Sequence, residues 1–517
     1  MYISKMKLEN FKCFKGVKEL TFNAGVNYFV GNNNCGKTTI FKAIEFLKSA
    51  KTKEGWITKG EEDNDVTVEI TLEDENLAEF LERDDLKKFQ QYLIDNSKII
   101  IRKSSKPSSW KDSRGNYKEI SIKNVSAFNP ENNIFENPFG VGDTVSALFD
   151  SQFVWSDLNS DEYNNFGKTT TIVSKLINNI TENFRKSDKW IEFEKAHKET
   201  FGDEGLINIL NGLQSKIEDI MKEQYGETRV NFSFGIPTID NFLKTGKILL
   251  EDNGIQTDIS EKGTGMQRAL ALTLIQVYSQ IGDESGEISK PILFFIDEPE
   301  TFLHPSAQDK LLQSLNKLSY NHQIFITTHS PYLLKNFNRE VNKLSIFSRA
   351  ENTINIEEDI QLSLFPYSPS WGEINYKAFG VVSEEFHNEL FGLLHNKARE
   401  TQKTYDEGSK TVGGSIASFD DWLSEQEYIT LTDDNHQNKN PRDNRIDKSM
   451  STYIRNYIDH PGNDDTLPSG FSRTKPNIDE IRESINNMIE IYNFYYLLCR
   501  SKRFHNLCSN CSFAYFL

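Results

Sequence analysis

The residues best suited to chemistry lie in one short stretch near the N-terminus. It fits the pattern G-x-x-x-x-G-K-[ST] and comprises Gly31, Asn32, Asn33, Asn34, Cys35, Gly36, Lys37, Thr38 and Thr39. An apolar run precedes it, and a segment of helical character follows. In such a loop backbone amides turn toward phosphate oxygens, Lys37 reaches the β- and γ-phosphates, and the Thr38 hydroxyl takes one Mg²⁺ position. The stretch therefore predicts a site for a nucleoside triphosphate, ATP, together with Mg²⁺.

Two acidic residues follow a second apolar run. Asp297 and Glu298 come directly after Ile292 to Ile296, a run typical of a strand buried on both faces of a parallel sheet. In a nucleotide-binding sheet the strand ends lie beside the phosphate loop. Asp297 is therefore predicted to hold Mg²⁺, directly or through water, and Glu298 to polarise the attacking water. His329 ends the next strand and is predicted to contact and sense the γ-phosphate.

A second glycine-containing turn precedes a segment of helical character, Ala269 to Gln280. The turn comprises Gly263, Thr264, Gly265, Met266, Gln267 and Arg268. Two glycines at the start of a helix give another cluster of amides that can bind an anion. One nucleotide does not need two such clusters in the same chain, so we expect this one to contact the γ-phosphate bound to a second subunit. The expected assembly is a homodimer, or a higher homo-oligomer, formed around ATP.

In combination these motifs, GNNNCGKTT, GTGMQR, ILFFIDEPETFLHP and ITTHS, resemble those of the ATP-binding-cassette (ABC) ATPases. The similarity is greatest to the soluble branch with the RecF-like repair proteins, the SMC-like ATPases and the OLD family. It covers roughly residues 1–350. The resemblance implies that Gly263 to Gln267 stand at the signature motif, Glu300 to Pro305 at the D-loop, and His329 at the switch histidine. It also implies that ATP lies between two head-to-tail subunits, and Gln152 is our candidate for the Q-loop glutamine.

The elements that must position these residues belong to a predicted α/β ATPase domain over residues 1–350. We expect an ABC-type head, with a mixed sheet flanked by helices and a short helical insert at about 165–228. An edge hairpin is predicted over Met1 to Phe22, an exposed loop over Ser104 to Asn116, and a last strand over Leu344 to Ser348. Residues 351–517 are predicted to form a largely α-helical C-terminal domain, for partner binding or an effector role.

Bulk properties narrow the classes of function. The formal net charge is −17, which excludes a uniformly basic protein that coats nucleic acid. A local basic groove is not excluded, so DNA remains a possible partner. No apolar run approaches the roughly 18 residues of a membrane helix, and the N-terminus lacks the apolar stretch of a signal peptide. Five cysteines without a regular framework suit a reducing compartment. We therefore expect a cytoplasmic protein without a membrane partner.

The segment Glu373 to Gly380, with Glu385 to Leu390 after it, resembles the ATPases of bacterial antiphage systems, namely the Septu ATPase and its retron-linked relatives. This resemblance implies an ATPase that controls a separate nuclease subunit of the HNH type. The OLD enzymes carry a Toprim nuclease, whose glutamate follows an apolar strand. Here the pairs Asp420-Asp421 and Asp433-Asp434 lack such a strand, so we interpret them as solvated surface acids and predict no Toprim site.

Two alternatives remain open. The first is a RecF-like DNA-repair ATPase, which salt-sensitive DNA binding by the isolated protein would favour. The second is an ATPase-gated RNase, because Arg455 and His460 fit the R-x4-H spacing of HEPN ribonucleases. The competing interpretation of that segment is a helix end with a structural arginine. Loss of RNA cleavage in His460→Ala, with ATPase activity retained, would support the RNase.

Overall fold

The structure is a computed structural model of the 517-residue chain. It describes residues 1–112, 114–137, 144–156, 181, 184, 186–201, 205–224, 226, 229–231, 246, 248–252, 254–284, 290–335, 337–351, 353–358, 364–365, 369–400, 404–405, 410–411, 414–433, 436, 446–459 and 474–494. His460 of the R-x4-H pattern lies outside these residues, and so does much of the expected helical insert.

Among the described residues, strands are most frequent before residue 360 and helices after it. The strands are β1 (Tyr2–Phe11), β2 (Phe14–Thr21), β3 (Val26–Gly31), β4 (Thr67–Glu73), β5 (Lys98–Ser104), β6 (Ser108–Lys111), β7 (Tyr117–Ile120), β8 (Ser126–Asn129), β9 (Ile134–Glu136), β10 (Asp150–Val154), β11 (Leu249–Asp252), β12 (Ile255–Asp258), β13 (Ile292–Asp297), β14 (Gln323–Thr328), β15 (Lys343–Ala350), β16 (Thr353–Glu358), β17 (Thr404–Tyr405) and β18 (Lys410–Thr411). The helices are α1 (Thr39–Ser49), α2 (Leu77–Phe80), α3 (Thr144–Leu148), α4 (Asp188–Phe201), α5 (Leu206–Gln224), α6 (Thr264–Glu284), α7 (Pro305–Leu318), α8 (Trp371–Phe379), α9 (Glu384–Glu400), α10 (Ile416–Leu423), α11 (Met450–Asp459) and α12 (Ile478–Tyr492).

The chain divides into two compact units. The first comprises Met1–Val26 and Ile40–Thr327, and the second comprises Asn27–Thr39 and Thr328–Leu517. The second unit therefore contains both the predicted phosphate loop and the C-terminal helices. The boundary that we predicted at residue 350 stays a prediction.

The first unit contains an antiparallel sheet in the order β2-β1-β4-β5-β8-β9. Its strands form because apolar side chains alternate with polar ones, so one face can be buried; in β5, Ile99 and Ile101 are fully buried. The hairpin predicted over Met1 to Phe22 is present as β1 and β2. Only β2 lies at the edge, however, because β1 also pairs with β4.

The first unit also contains a parallel group of strands, β10-β13-β14. All residues of β13 are buried, as its apolar sequence predicted. Phe295 of β13 stacks on Phe325 of β14 with ring centroids 4.8 Å apart, and Phe41 of α1 meets Phe295 edge-on at 5.4 Å. The buried face of α1 thus packs on this group of strands, which fixes the helix that follows the phosphate loop.

Two expectations for this unit need correction. The segment predicted as a loop over Ser104 to Asn116 contains β6, which pairs with β7 in an exposed hairpin. The helix predicted from Ala269 begins at Thr264, so most of the second glycine turn is its first turn.

Of the insert, α4 and α5 are helical as expected. The apolar stripe of α5 is not buried, and its Ile209 is 77% exposed.

The second unit contains the strand that leads into the phosphate loop. β3 is buried throughout and pairs in parallel with β15. β16 then pairs with β15 in the antiparallel sense, so the sheet of this unit is mixed. The predicted last strand, Leu344 to Ser348, is therefore β15, and one further strand follows it. That strand was missed because only alternate residues of β16 are shielded from solvent, which leaves a weak apolar signal.

The C-terminal part of the second unit is largely helical. Helices α9 to α12 enclose a core that includes Phe386, Leu390, Phe419, Ile454, Ile485 and Met488. Ser370 caps α8 through a reciprocal capping box with Glu373, and Gly380 ends α8 in the left-handed conformation. The α/β class, the mixed sheet flanked by helices and the helical C-terminal region are thus confirmed. Among the described helices none has the length and apolar character that a membrane span needs.

Candidate functional site

The phosphate loop begins where β3 ends, and its backbone requires glycine there. Gly31 has φ 142°, and a Cβ added to it would lie 2.0 Å from the carbonyl oxygen of Phe347 on β15. Gly36 has φ 92°. These conformations are rarely open to other residues, so the two glycines permit the tight loop. Thr39 N then donates to Gly36 O at 3.1 Å as α1 begins.

Lys37 lies at the centre of this loop and is only 5% exposed. Its Nζ donates to Gly31 O at 2.9 Å and to Asn32 O at 3.1 Å. The same Nζ lies 2.9 Å from Nε2 of His329. The structure therefore brings together, within the second unit, two residues that are 292 positions apart in the sequence and that we predicted independently as phosphate contacts.

Asp297 and Glu298 lie at the end of β13, in the first unit. Asp297 is 4% exposed, and its Oδ1 accepts a 2.6 Å hydrogen bond from the Thr327 hydroxyl. Glu298 N donates to both the carbonyl and the hydroxyl oxygen of Thr327, each at 3.0 Å. A buried carboxylate needs such partners, because an unpaired charge is costly to remove from water. Carboxylate and hydroxyl oxygens are also the ligands that Mg²⁺ prefers.

Three residues other than glycine adopt positive φ at the motifs, namely Asn34 (61°), Glu298 (45°) and Phe302 (65°). Asn34 is in the phosphate loop, while the other two are in the segment after β13. Conformations of this kind are unfavourable for residues with a Cβ and persist only where the surroundings fix them. Their occurrence at the sequence-predicted motifs supports a functional rather than a purely structural interpretation of these segments.

The second glycine turn forms the start of α6. Met266 N and Gln267 N donate to Gly263 O at 2.9 Å and 3.2 Å, and Gln267 Nε2 donates to Lys262 O at 2.7 Å. A Cβ on Gly265 would lie 2.9 Å from Phe302 O, so the helix start packs closely on the segment after β13. Whether this turn meets Lys37 of another subunit stays a prediction.

Arg268 and Thr327 contact the predicted acidic site, although no sequence motif marked them for that position. Arg268 is 1% exposed, and its guanidinium donates to Asp297 O at 2.8 Å and to Thr301 O at 3.2 Å. It thereby holds the two ends of the Asp297–Thr301 segment. The sequence did contain a signal for Arg268, because a permanently charged residue stands there among the apolar positions of a helix. A charged side chain is buried only where it has partners, so this position indicates that Arg268 binds other residues.

Gln152, our Q-loop candidate, lies on β10 and is 3% exposed. Its Nε2 donates to Asp150 Oδ2 at 2.5 Å, so its amide already has an acceptor within its own strand. The assignment of the Q-loop glutamine stays a prediction.

Arg455 lies on α11 and is engaged with its neighbours. Its Nη2 lies 2.5 Å from Asp459 Oδ2, and its Nη1 donates to Asn456 Oδ1 at 2.8 Å. Asn456 in turn donates to both carboxylate oxygens of Asp447 at 3.0 Å. These contacts fit the structural interpretation of Arg455. Because His460 is not among the described residues, a joint site of the two stays a prediction.

Two polar residues of the C-terminal region, Asp420 and His387, are buried. Asp420 is 1% exposed and accepts from Lys448 N, Ser449 N and Ser449 Oγ at 2.7–3.0 Å, so its interpretation as a surface acid was wrong. Its role is to hold the segment before α11. His387 of α9 is fully buried with Nε2 3.0 Å from Ser484 Oγ, and burial lowers its pKa to about 4.

The fold and the motifs define an ATPase domain built around a phosphate loop. The family model described as AAA ATPase domain matches residues 1–334. The chain therefore belongs to the AAA ATPase domain family.

Similar proteins include two named nucleases. The Old nuclease of Escherichia phage P2 is 26% identical over 355 residues, which cover 64% of this chain and 57% of that protein. The endonuclease GajA of Bacillus cereus (strain HuB5-5) is 20% identical over 462 residues, covering 70% of this chain and 63% of that protein. The chain thus spans less than two thirds of the length of either relative. Among solved structures, the SMC head bound to the C-winged helix domain of ScpA aligns with 69% of this chain and 97% of its own, at 16% identity and a TM-score of 0.41.

Proposed function

We propose that this chain binds and hydrolyses ATP with Mg²⁺ and that two copies dimerise around the nucleotide. The observation that carries the proposal is the 2.9 Å contact between Lys37 Nζ and His329 Nε2, at the end of a glycine loop that fits a phosphate. A buried ammonium group and a polar ring meet there, beside a loop of the kind whose amides bind phosphate. Membership of the AAA ATPase domain family supports the same conclusion.

Each residue has a defined role in this proposal. Thr38 and Asp297 would hold Mg²⁺, which when bound neutralises charge that develops on the phosphates. Glu298 accepts a hydrogen bond from the attacking water and orients it, and His329 contacts the γ-phosphate. The turn from Gly263 to Gln267 of the second subunit supplies amides to the same phosphate.

The biological setting that we propose is bacterial antiphage defence, in which the ATPase controls a nuclease. The similarity to proteins named Old nuclease and endonuclease GajA supports a link to nucleases. We assign the nuclease to a separate polypeptide of the HNH type, because the segments Glu373 to Gly380 and Glu385 to Leu390 resemble the Septu ATPase. Co-purification of the chain with the product of a neighbouring nuclease gene would test this assignment.

Two substitutions test the ATPase itself. Glu298→Gln removes the group that orients water, so hydrolysis should fall by orders of magnitude while ATP binding survives. Lys37→Ala removes the phosphate contact, so binding should be lost as well. Phosphate release and equilibrium binding of ATP measure the two effects. Glu79→Gln, an exposed change on α2, is the matched control.

The outcomes separate the roles clearly. If Glu298→Gln loses binding and hydrolysis to the same extent, the role of Glu298 is wrong. If Lys37→Ala binds ATP as the unmodified chain does, the phosphate loop is not the nucleotide site.

A further inference from the structure

The Lys37 ammonium donates to acceptors on both the loop and His329. Those within 3.1 Å are the carbonyl oxygens of Gly31 and Asn32 and the Nε2 atom of His329, and the Cys35 sulfur lies 3.9 Å away. An ammonium group has no acceptor, so Nε2 of His329 must accept this hydrogen bond and the ring proton must reside on Nδ1. In this arrangement the imidazole is neutral, and its Nε2 is occupied by Lys37.

Both side chains are the groups that the proposed function directs at the nucleotide. Lys37 is 5% exposed and can bind a phosphate oxygen only if it gives up one of these acceptors. His329 can donate from Nε2 to a phosphate only after Lys37 has left that atom. The contact between Lys37 and His329 therefore competes with phosphate binding by either residue.

We propose that the hydrogen bond from Lys37 to His329 is a latch that opposes nucleotide binding and is released by it. The inference rests on the proposed nucleotide-binding function and adds an order of events to it. The nucleotide takes Lys37 first, through a phosphate that ADP and ATP share. Nε2 of His329 then becomes available for the γ-phosphate, which only ATP carries.

ADP tests the latch because it has no γ-phosphate. His329→Ala removes the acceptor, so MgADP should bind about 3- to 10-fold more tightly, as expected when one hydrogen bond no longer has to break. His329→Gln keeps an oxygen that can accept from Lys37, so its ADP affinity should equal that of the unmodified chain. Isothermal titration calorimetry measures the affinities. His197→Ala, on α4 and outside every predicted motif, is the matched control.

A histidine that only senses the γ-phosphate would leave the ADP affinity of His329→Ala unchanged. That result, or weaker binding, would overturn the latch. An unmodified chain that binds neither ADP nor ATP would overturn the proposed function instead, so the two failures are distinguishable.

A second measurement follows the unmodified chain, and a variant serves only to assign the resonance. In ¹⁵N spectra of histidine-labelled protein, the Nε2 resonance of His329 is identified by its loss in His329→Gln. The latch predicts that saturating ADP shifts this resonance, because Lys37 leaves the ring. A resonance that ADP leaves in place, and that only an ATP analogue shifts, would overturn the proposal.

Discussion

Thr327 is the residue that joins the two acids of the predicted metal and water site. Its hydroxyl donates to Asp297 Oδ1 and also accepts from Glu298 N, while its carbonyl accepts from the same amide. Glu298 has φ 45°, a conformation that is costly for a residue with a Cβ. The two hydrogen bonds that Glu298 N donates to Thr327 therefore offset the cost of this backbone conformation of Glu298.

Thr327→Val preserves shape but removes this hydroxyl. The buried carboxylate of Asp297 loses a donor, so the free energy of unfolding should fall by about 1–3 kcal/mol. Hydrolysis should fall further than the loss of stability explains, because Glu298 N keeps only its bond to the Thr327 carbonyl and Glu298 is held less firmly. Urea denaturation and phosphate release measure the two effects, with the exposed Thr353→Val as control. Unchanged hydrolysis would show that Thr327 does not position Glu298.

At the scale of elements, a single side chain connects α6 to the end of β13. Arg268 comes from the first turns of α6 and donates to the carbonyls of Asp297 and Thr301, which border the turn after β13. The same helix start packs on Phe302 through Gly265. A displacement of α6 is therefore transmitted to Asp297 and Glu298 through fixed contacts, since packed elements do not deform continuously.

Arg268→Met keeps the apolar part of the side chain and removes its hydrogen bonds to the carbonyls of Asp297, Thr301 and Trp155. These carbonyl oxygens lose a charged donor, so the free energy of unfolding should fall by about 3 kcal/mol. Lysine has a single charged nitrogen and reaches one carbonyl at most. The free energy of unfolding of Arg268→Lys should therefore lie between those of the unmodified chain and Arg268→Met. Urea denaturation measures the series, and the exposed Arg349→Met gives the background. Equal stability of Arg268→Met and Arg349→Met would contradict the role of Arg268.

The sequence predicted what depends on neighbours along the chain. The loop between β3 and α1, the strand β13 and the hairpin of β1 and β2 each follow from a local pattern of glycines or apolar residues, and each is present. Arg268 and Asp420 were missed because their partners lie 28 or more residues away, and no local pattern marks them. Burial that depends on distant segments is invisible to periodicity, and for the same reason Asp420 resembled a surface acid.

For the molecule as a whole, one buried histidine makes stability depend on pH. His387 is 0% exposed in the core of the C-terminal helices, and desolvation lowers its pKa from 6.5 to about 4. Between these values the unfolded chain binds a proton at this residue that the folded chain does not bind. The free energy of unfolding should therefore fall as the pH drops from about 6.5 to about 4.

His387→Gln tests this dependence. Glutamine can keep a hydrogen bond to Ser484 but does not titrate, so the loss of stability over this pH range should be smaller than in the unmodified chain. Urea denaturation at a series of pH values gives the slope, and the control His197→Ala should keep it. If His387→Gln loses stability with the same slope, acid sensitivity arises from other groups.

One feature of the packing bears on how this chain could have been assembled by evolution. The segment from Asn27 to Thr39, which contains most of β3 and the loop after it, belongs to the same compact unit as the residues from Thr328 onward. A recombination event at residue 350 would transfer all the ATP motifs together. It would, however, separate β15 from its partner strand β16 and Tyr332 from its aromatic neighbour Trp371. The nucleotide loop and the C-terminal helices should therefore be inherited together, and chimaeras joined at that point should fold poorly even when every motif is intact.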